Sequence, residues 1–201
     1  MVDDKLRTYR RRRRFDRTAE PAGDDTASGG SPERPLFVIQ HHEASTDHYD
    51  LRLEVDGVLR SWAVPKGPST DPRDKRLAVP TEDHPLEYAD FEGTIAAGEY
   101  GGGTVLLWDR GHYTNTTHKG GRALSMAEGL EHGHVSFRLA GEKLTGGYAL
   151  SRFRTGREEA WLLVKEADEA ADARRRPVRS QPESVRTGRR MREIAEEDGG
   201  G

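Results

Sequence analysis

Apolar residues recur at every second position through much of the middle of the chain, the period of half-buried strands rather than of helices. HYDLRLEV alternates strictly, and the Asp56-Gly57 that follows has the chemistry of a tight hairpin turn into VLRSWAVP. PLFVIQHH reads as a short apolar strand, and GTVLLWDRGHYT, HVSFRLAG, GGYALSRF and EAWLLVKEA as further ones. A helix is predicted near Ser125 to Glu128, where serine and glutamate can form a capping box, and a second short one around RRMREIAEE. Many short strands, glycine turns and little helix predict a mainly β fold: a compact antiparallel β-barrel with one or two short helices, preferred over a sandwich.

The pattern fails at both ends, which divides the chain. Residues 19–34, AEPAGDDTASGGSPER, read as an extended linker, so residues 1–34 form a basic arm plus linker. The folded domain is predicted over 35–168. From about Glu169 onward apolar residues become scarce, and 169–201 is expected to be a disordered, arginine-rich tail.

Charge sharpens that division. The net charge of −3 hides two basic runs: Lys5–Arg17 and Arg174–Arg192 each hold eight basic residues and one acid. Outside them the balance is 16 basic to 33 acidic residues. Basic flanks can track a phosphate backbone through counterion release, or can be solvated tails that keep an acidic body soluble. The absence of cysteine excludes disulfides and thiolate metal sites. With no secretory or membrane-length apolar run, a cytoplasmic, monomeric protein without a membrane partner is expected.

Candidate chemistry concentrates on one strand face. Tyr49, Leu51, Leu53 and Val55 share the core face of HYDLRLEV, leaving His48, Asp50, Arg52 and Glu54 on the other. Successive members of a face lie about 6.5–7 Å apart, close enough for His48 and Asp50 to meet at one ion. His42 ends the preceding strand and can come alongside across the turn. Two imidazoles and a carboxylate form a ligand set with open positions that suits zinc, manganese or iron, and Arg52 could hold an oxyanion beside it. The competing reading is an ordinary solvated sheet face.

RLAVPTEDHPLEYADFEG, residues 76–93, supplies a second polar cluster, including Arg76, Glu82, His84 and Tyr88 on what reads as a proline-stiffened loop. His84 could serve as general acid or oxyanion donor. Lys66 sits on a Pro/Gly turn, where a solvated lysine is the commoner outcome. GEYGGGT lacks the Gly-Lys-Ser/Thr ending of a phosphate-cradling loop and reads as a turn or bulge.

The runs FVIQHHEASTDHYDLRLEVDGVLRSWAVPKGPS, KRLAVPTEDHPLEYADFEGTI, GEYGGGTVLLWDRG and WLLVKEAD resemble the 3'-phosphoesterase module of bacterial DNA ligase D, from about Leu6 to Asp168. No ligase or polymerase sequence accompanies them, so a stand-alone version of that module is expected. The resemblance implies a β-barrel hydrolase that removes a 3'-terminal ribonucleoside and then the 3'-phosphate, leaving a 3'-OH. It implies Mn2+, with Co2+ or Zn2+ as alternatives, on His42, His48 and Asp50. It places Arg52, His84 and Tyr88 as phosphate-contacting or catalytic groups and associates Lys66, Arg76 and Glu82 with the active site. The implied partners are a primer-template with a 3'-ribonucleotide or 3'-phosphate end, and a DNA ligase, primase-polymerase or Ku-like end-joining protein.

In the arm, the family pattern Y-x-x-K-R-D-F-x-x-T-x-E-P meets YRRRRRFDRTAEP, residues 9–21. Arg13, Phe15, Thr18 and Glu20 fit, with Arg13 and Glu20 as substrate-side residues, while Arg14 stands where the family has Asp. Two rival readings stand beside this one. A non-haem iron oxygenase could use the same ligand set, and a silent 3'-end-binding module would bind nucleic acid with steep salt dependence and leave it unchanged.

Overall fold

The computed structural model describes residues 2–23, 31 and 33–199. Strands β1 (Leu36–Glu43), β2 (Asp47–Val55) and β3 (Val58–Val64) form consecutive antiparallel hairpins. Asp56 and Gly57 both take positive φ, 51° and 82°, the conformation of the tight turn expected there. β4 (Arg76–His84), β5 (Gly93–Ile95), β6 (Gly103–Asn115), β9 (His134–Gly141), β10 (Thr145–Arg154) and β11 (Ala160–Lys165) complete the sheet, and β7 (His118–Lys119) and β8 (Arg122–Ala123) form a separate small hairpin. The order β1-β2-β3-β4-β11-β10-β9-β6 closes because β6 pairs back to β1, and β5 adds to the free side of β6. The predicted antiparallel barrel is therefore the fold, and its closure leaves those eight strands no open edge.

Helical segments are short. α1 (Val2–Lys5) and α2 (Arg7–Arg11) form the arm, and α3 (Met126–His132) begins at the Ser125/Glu128 capping box. α4 (Pro177–Ser180) and α5 (Met191–Asp198) belong to the C-terminal segment. No helix among the described residues is long and apolar enough to cross a membrane.

Two apolar clusters lie on opposite faces of the same wall. Phe37, Ile39, Leu51, Leu53, Trp62, Trp108 and Phe137 fill the barrel. Val38, Leu59, Val105 and Leu107 point outward, and Tyr9 of the arm and Tyr88, Phe91 and Ile95 cover them. The arm is thus held by burial: Leu6 and Tyr9 are buried, and Tyr9 donates its hydroxyl to the Pro21 carbonyl at 2.6 Å. Of the expected linker, Pro21–Gly23 belongs to this packing, whereas residues 24–30 and 32 lie outside the described residues.

Two expectations from sequence are revised. Residues 76–84 form a strand where a loop was predicted, because Pro80 suggested a break. Its missing N–H is tolerated there, since β11 pairs with β4 only at Arg76–Ala78 and the chain at Pro80 lies beyond that ladder. The C-terminal segment, expected to be disordered, packs on the barrel. Ile194 joins the interior cluster with Val178 and Met191 at its margin. Trp108 donates its indole N–H to the Gln181 carbonyl at 2.8 Å. Buried Glu92 accepts from the hydroxyls of Ser184 and Thr187, both at 2.5 Å. A low average hydropathy concealed three well-placed apolar residues and a set of polar latches.

Candidate metal centre and phosphate cleft

The β1–β2 register sets His42 directly opposite His48 and Gln40 opposite Asp50, on the outer face of the barrel. This face is not solvated: His42, Asp50 and Arg52 are buried beneath the arm and the loop before β6. His48 Nε2 lies 3.4 Å and His42 Nδ1 3.8 Å from the same Asp50 oxygen. One ligand atom from each of the three falls within 4.8 Å of the others.

The remaining ring nitrogens are tied back. His42 Nε2 meets the Gly101 carbonyl at 2.8 Å and His48 Nδ1 the Thr46 carbonyl at 2.8 Å. A carbonyl can only accept, so each of those nitrogens carries a proton, and the other ring nitrogen, facing Asp50, is the one left to bind a cation once it is deprotonated. Burial lowers the pKa of His42 despite Asp50, while the hydrogen bond to Asp50 raises that of His48 against burial. Burial alone would raise the Asp50 carboxyl. Arg52, followed by His48 and His42, outweighs burial and holds it below the ordinary carboxylate range. Two imidazole nitrogens converging on a carboxylate, with outer hydrogen bonds orienting the rings, are a donor set that a divalent cation fits.

Arg52 connects this centre to the rest of the cleft. Its guanidinium donates to Gln40 Oε1 at 2.7 Å and to Asp50 Oδ2 at 3.3 Å, and lies 4.9 Å from the centre of the Tyr88 ring. Gln40 in turn donates to the Tyr88 and Phe91 carbonyls, which fixes Arg52 to the 3-10 turn Leu86–Asp90. His84 reaches the outer face through a register shift opposite Leu59–Ser61, a bulge that re-aims the side chain.

His84 Nδ1 lies 2.8 Å from the Glu82 carbonyl and 3.2 Å from Arg52 Nη1, contacts that require opposite tautomers. The shorter carbonyl contact favours a proton on Nδ1. Burial, then Arg52 and Arg13, drives the His84 pKa well below its usual value, so the ring is neutral. Burial and Glu20 raise Tyr88 well above the ordinary phenol range, so its hydroxyl remains a donor and gives its hydrogen to Glu20 at 2.9 Å.

The arm closes the cleft. Arg13 bridges Glu20 at 2.9 Å and Glu82 at 3.0 Å and lies 3.8 Å from the centre of the Tyr9 ring. Arg12 donates to Glu82 at 3.0 Å and to the Tyr100 hydroxyl at 2.7 Å. The enclosed space is about 330 Å³. A larger groove of about 680 Å³ runs past Leu36, Leu86 and Arg110, but it has no comparable convergence of donors.

The structure therefore brings His42, His48, Asp50, Arg52, Glu82, His84, Tyr88, Arg13 and Glu20 into one cleft. Lys66 and Arg76 do not line it: Lys66 is exposed, and Arg76 lies 3.5 Å from Asp74. Arg14 points outward to Glu99 at 2.5 Å. Sequence reasoning missed Gln40, Tyr9, Tyr100 and the Gly101 carbonyl. Gln40 lay on the strand face already marked by His42 and was the one recoverable signal.

A closed barrel bearing a two-histidine, one-aspartate centre on its outer wall, with an arginine shared between that centre and an arm-covered cleft, defines a class of anion-handling β-barrel. The chain belongs to the DNA ligase D 3'-phosphoesterase domain family, which it matches over residues 40–152. It is 48% identical over 183 residues to the multifunctional non-homologous end joining protein LigD of Pseudomonas aeruginosa, covering 90% of this chain. It is 44% identical over 169 residues to its Mycobacterium tuberculosis counterpart and 45% over 168 residues to that of Mycolicibacterium smegmatis, each covering 84% of this chain. The aligned part is 21% of each of these relatives.

Proposed function

We propose that this chain is a metal-dependent phosphoesterase that heals 3' ends of nucleic acid. It would remove a 3'-terminal ribonucleoside and then the 3'-phosphate to leave a 3'-OH. The observation that carries this reading is the convergence of His42 Nδ1 and His48 Nε2 on one Asp50 oxygen, with Arg52 extending from Asp50 into the cleft. His42, His48 and Asp50 would hold the cation, Mn2+ in our reading, with Co2+ or Zn2+ also matching the donor set. When bound, such a cation supplies Lewis-acid polarisation of a phosphoryl oxygen.

The chain's own groups do the rest. Arg52 and Arg13 neutralise charge on the phosphoryl oxygens from fixed positions, so no reorganisation is needed as that charge develops. Neutral His84 can accept a proton from the attacking group. The phosphate beside it then stabilises the imidazolium, which can return the proton to the leaving oxygen. Tyr88 supplies a hydroxyl donor, and Glu20 and Glu82 hold Arg13 in place. Arg14 points away from these groups, so its departure from the family pattern leaves them intact and removes the main support for a silent binding module. The similarity to end-joining proteins suggests DNA ends as substrate, with a ligase, primase-polymerase or Ku-like protein as working partner.

The test is a DNA primer ending in one ribonucleotide, incubated with Mn2+ and resolved on a sequencing gel. The wild-type chain should release the terminal nucleoside and then the phosphate. His48→Ala should lose at least about a hundredfold in rate, the scale on which removal of a fixed electrostatic group acts. Undiminished release by that variant would refute the assignment.

A further inference from the structure

The β3–β4 loop and the start of the C-terminal segment form a single ledge beside the cleft. Tyr49 pairs with Val64 and Ala63 with Val79, so β3 ends and β4 begins at the rim where His48 enters β2. The loop between them is fastened to residues 172–178. Thr70 donates its hydroxyl to the Asp172 carbonyl at 2.7 Å, and the Asp172 N–H returns to the Thr70 carbonyl at 2.8 Å. Gly67 lies so close to Tyr49 and Val178 that a Cβ there would come within 2.9 Å of each. Its φ of +71° adds a second reason for glycine.

The ledge is rich in unneutralised cations. Lys66, Lys75, Arg174, Arg176 and Arg179 are exposed. The local acids have nearer partners: Asp71 binds Arg73 at 2.9 Å and feels Arg176 only as a weaker attraction, and Asp74 accepts from Ser69 at 2.7 Å and lies 3.5 Å from Arg76. Arg174, with a side chain 96% exposed, has only a long 3.9 Å approach to Asp172. Among the described residues, no carboxylate forms an ion pair with Lys66, Lys75, Arg176 or Arg179. Farther along the same segment three arginines are neutralised, Arg190 by Glu183, Arg192 by Glu196 and Arg189 by Glu197, while Arg186 donates to the Asp90 carbonyl. The two halves of one basic run thus differ in what they offer a polyanion.

From this geometry we infer that the ledge is a second nucleic-acid contact surface. Arg174, Arg176 and Arg179 would grip backbone phosphates of the duplex whose 3' end enters the cleft. This rests on the functional reading above. The ledge presents cations on an anchored backbone with no exposed aromatic ring among them, which suits a phosphate backbone better than unstacked single-strand bases.

The test compares three proteins: wild type, the triple variant Arg174→Ala/Arg176→Ala/Arg179→Ala, and a control carrying Arg190→Ala/Arg192→Ala. Binding to a primer-template duplex is measured in EDTA across a salt series. The triple variant should bind roughly tenfold or more weakly at 0.1 M salt, with its log K against log salt slope reduced by about two to three. The control should keep the wild-type slope. In Mn2+, turnover of the triple variant at saturating DNA should match wild type while KM rises. An unchanged slope and affinity in the triple variant, a loss confined to single strands, or no duplex binding by wild type would overturn the ledge. Normal duplex binding with no end cleavage by wild type would instead sink the phosphoesterase reading and leave the ledge standing.

Discussion

The N-terminal arm and the C-terminal segment each contain a run of eight basic residues to one acid, yet only the arm places an arginine inside the cleft. The difference lies in the neighbours. Leu6 and Tyr9 give the arm an apolar underside that docks on the outer cluster, and Glu20 folds back to meet Arg13. In the C-terminal segment the apolar residues Val178 and Ile194 turn inward to the barrel cluster, and arginines such as Arg176 and Arg179 are left on the outside. Equal composition therefore yields a wall of the cleft in one place and an outer surface in the other. What decides is which residues are spaced to be buried.

The largest break in this comparison should come from Arg13→Ala. Its side chain is 4% exposed and lies between two carboxylates, those of Glu20 and Glu82, that are nearly as buried. Removing the cation sets both acids against each other with only Arg12 on Glu82 and the Tyr88 and Thr18 hydroxyls on Glu20 as remaining partners, a defect of up to about 3 kcal/mol in docking of the arm. Activity on the ribonucleotide-tailed primer should fall at least a hundredfold, and trypsin should cut the arm far sooner than in wild type. Arg13→Lys should recover part of the docking but not the paired contacts of the planar fork. If Arg13→Ala keeps full activity, the arm is decoration.

Ile194→Ala tests the other flank. Ile194 has no exposed surface, so its truncation should cost about 2–4 kcal/mol, read as a lower urea midpoint. Turnover per folded molecule should stay near wild type, because the cleft receives nothing from α5. Catalysis falling in step with the Arg13 variant would mean that the two flanks are coupled through the barrel wall.

Legibility in the sequence followed the same division. Strict alternation in HYDLRLEV fixed one face of β2, and a short turn returned His42 to His48, so the cluster of His42, His48 and Asp50 that could hold a metal ion was legible from spacing alone. The Gly101 carbonyl was not, because its role arises from a loop folded over the site, whereas Gln40 shared a strand face with His42 and was recoverable although its partner Arg52 lies on the next strand. β4 was hidden by Pro80, whose tolerance depends on where the β11 ladder stops. The docking of residues 169–199 was hidden by averaging. Ile194 contributes little to a hydropathy window, yet it occupies a core position.

The smallest effect is expected at Arg14, where this chain reverses the charge that the family pattern carries. Arg14 meets Glu99 on the loop whose Gly101 carbonyl fixes His42, so the pair ties the arm to the support of the candidate metal centre. Hydrogen bonding and attraction to Glu99 raise the Arg14 pKa, but its side chain is 57% exposed, and such pairs are largely screened by water. Arg14→Ala should therefore leave turnover within about threefold of wild type, since exposed ion pairs contribute little. Glu99→Ala should match it, and the double variant should add no further loss, because either substitution removes the same contact. Arg14→Asp, restoring the family residue, would set two acids against each other at the mouth of the cleft and should be the worst of the series. Better cleavage by Arg14→Asp than by wild type would show instead that an acid at this position works on the substrate and that Glu99 does not stand in for it.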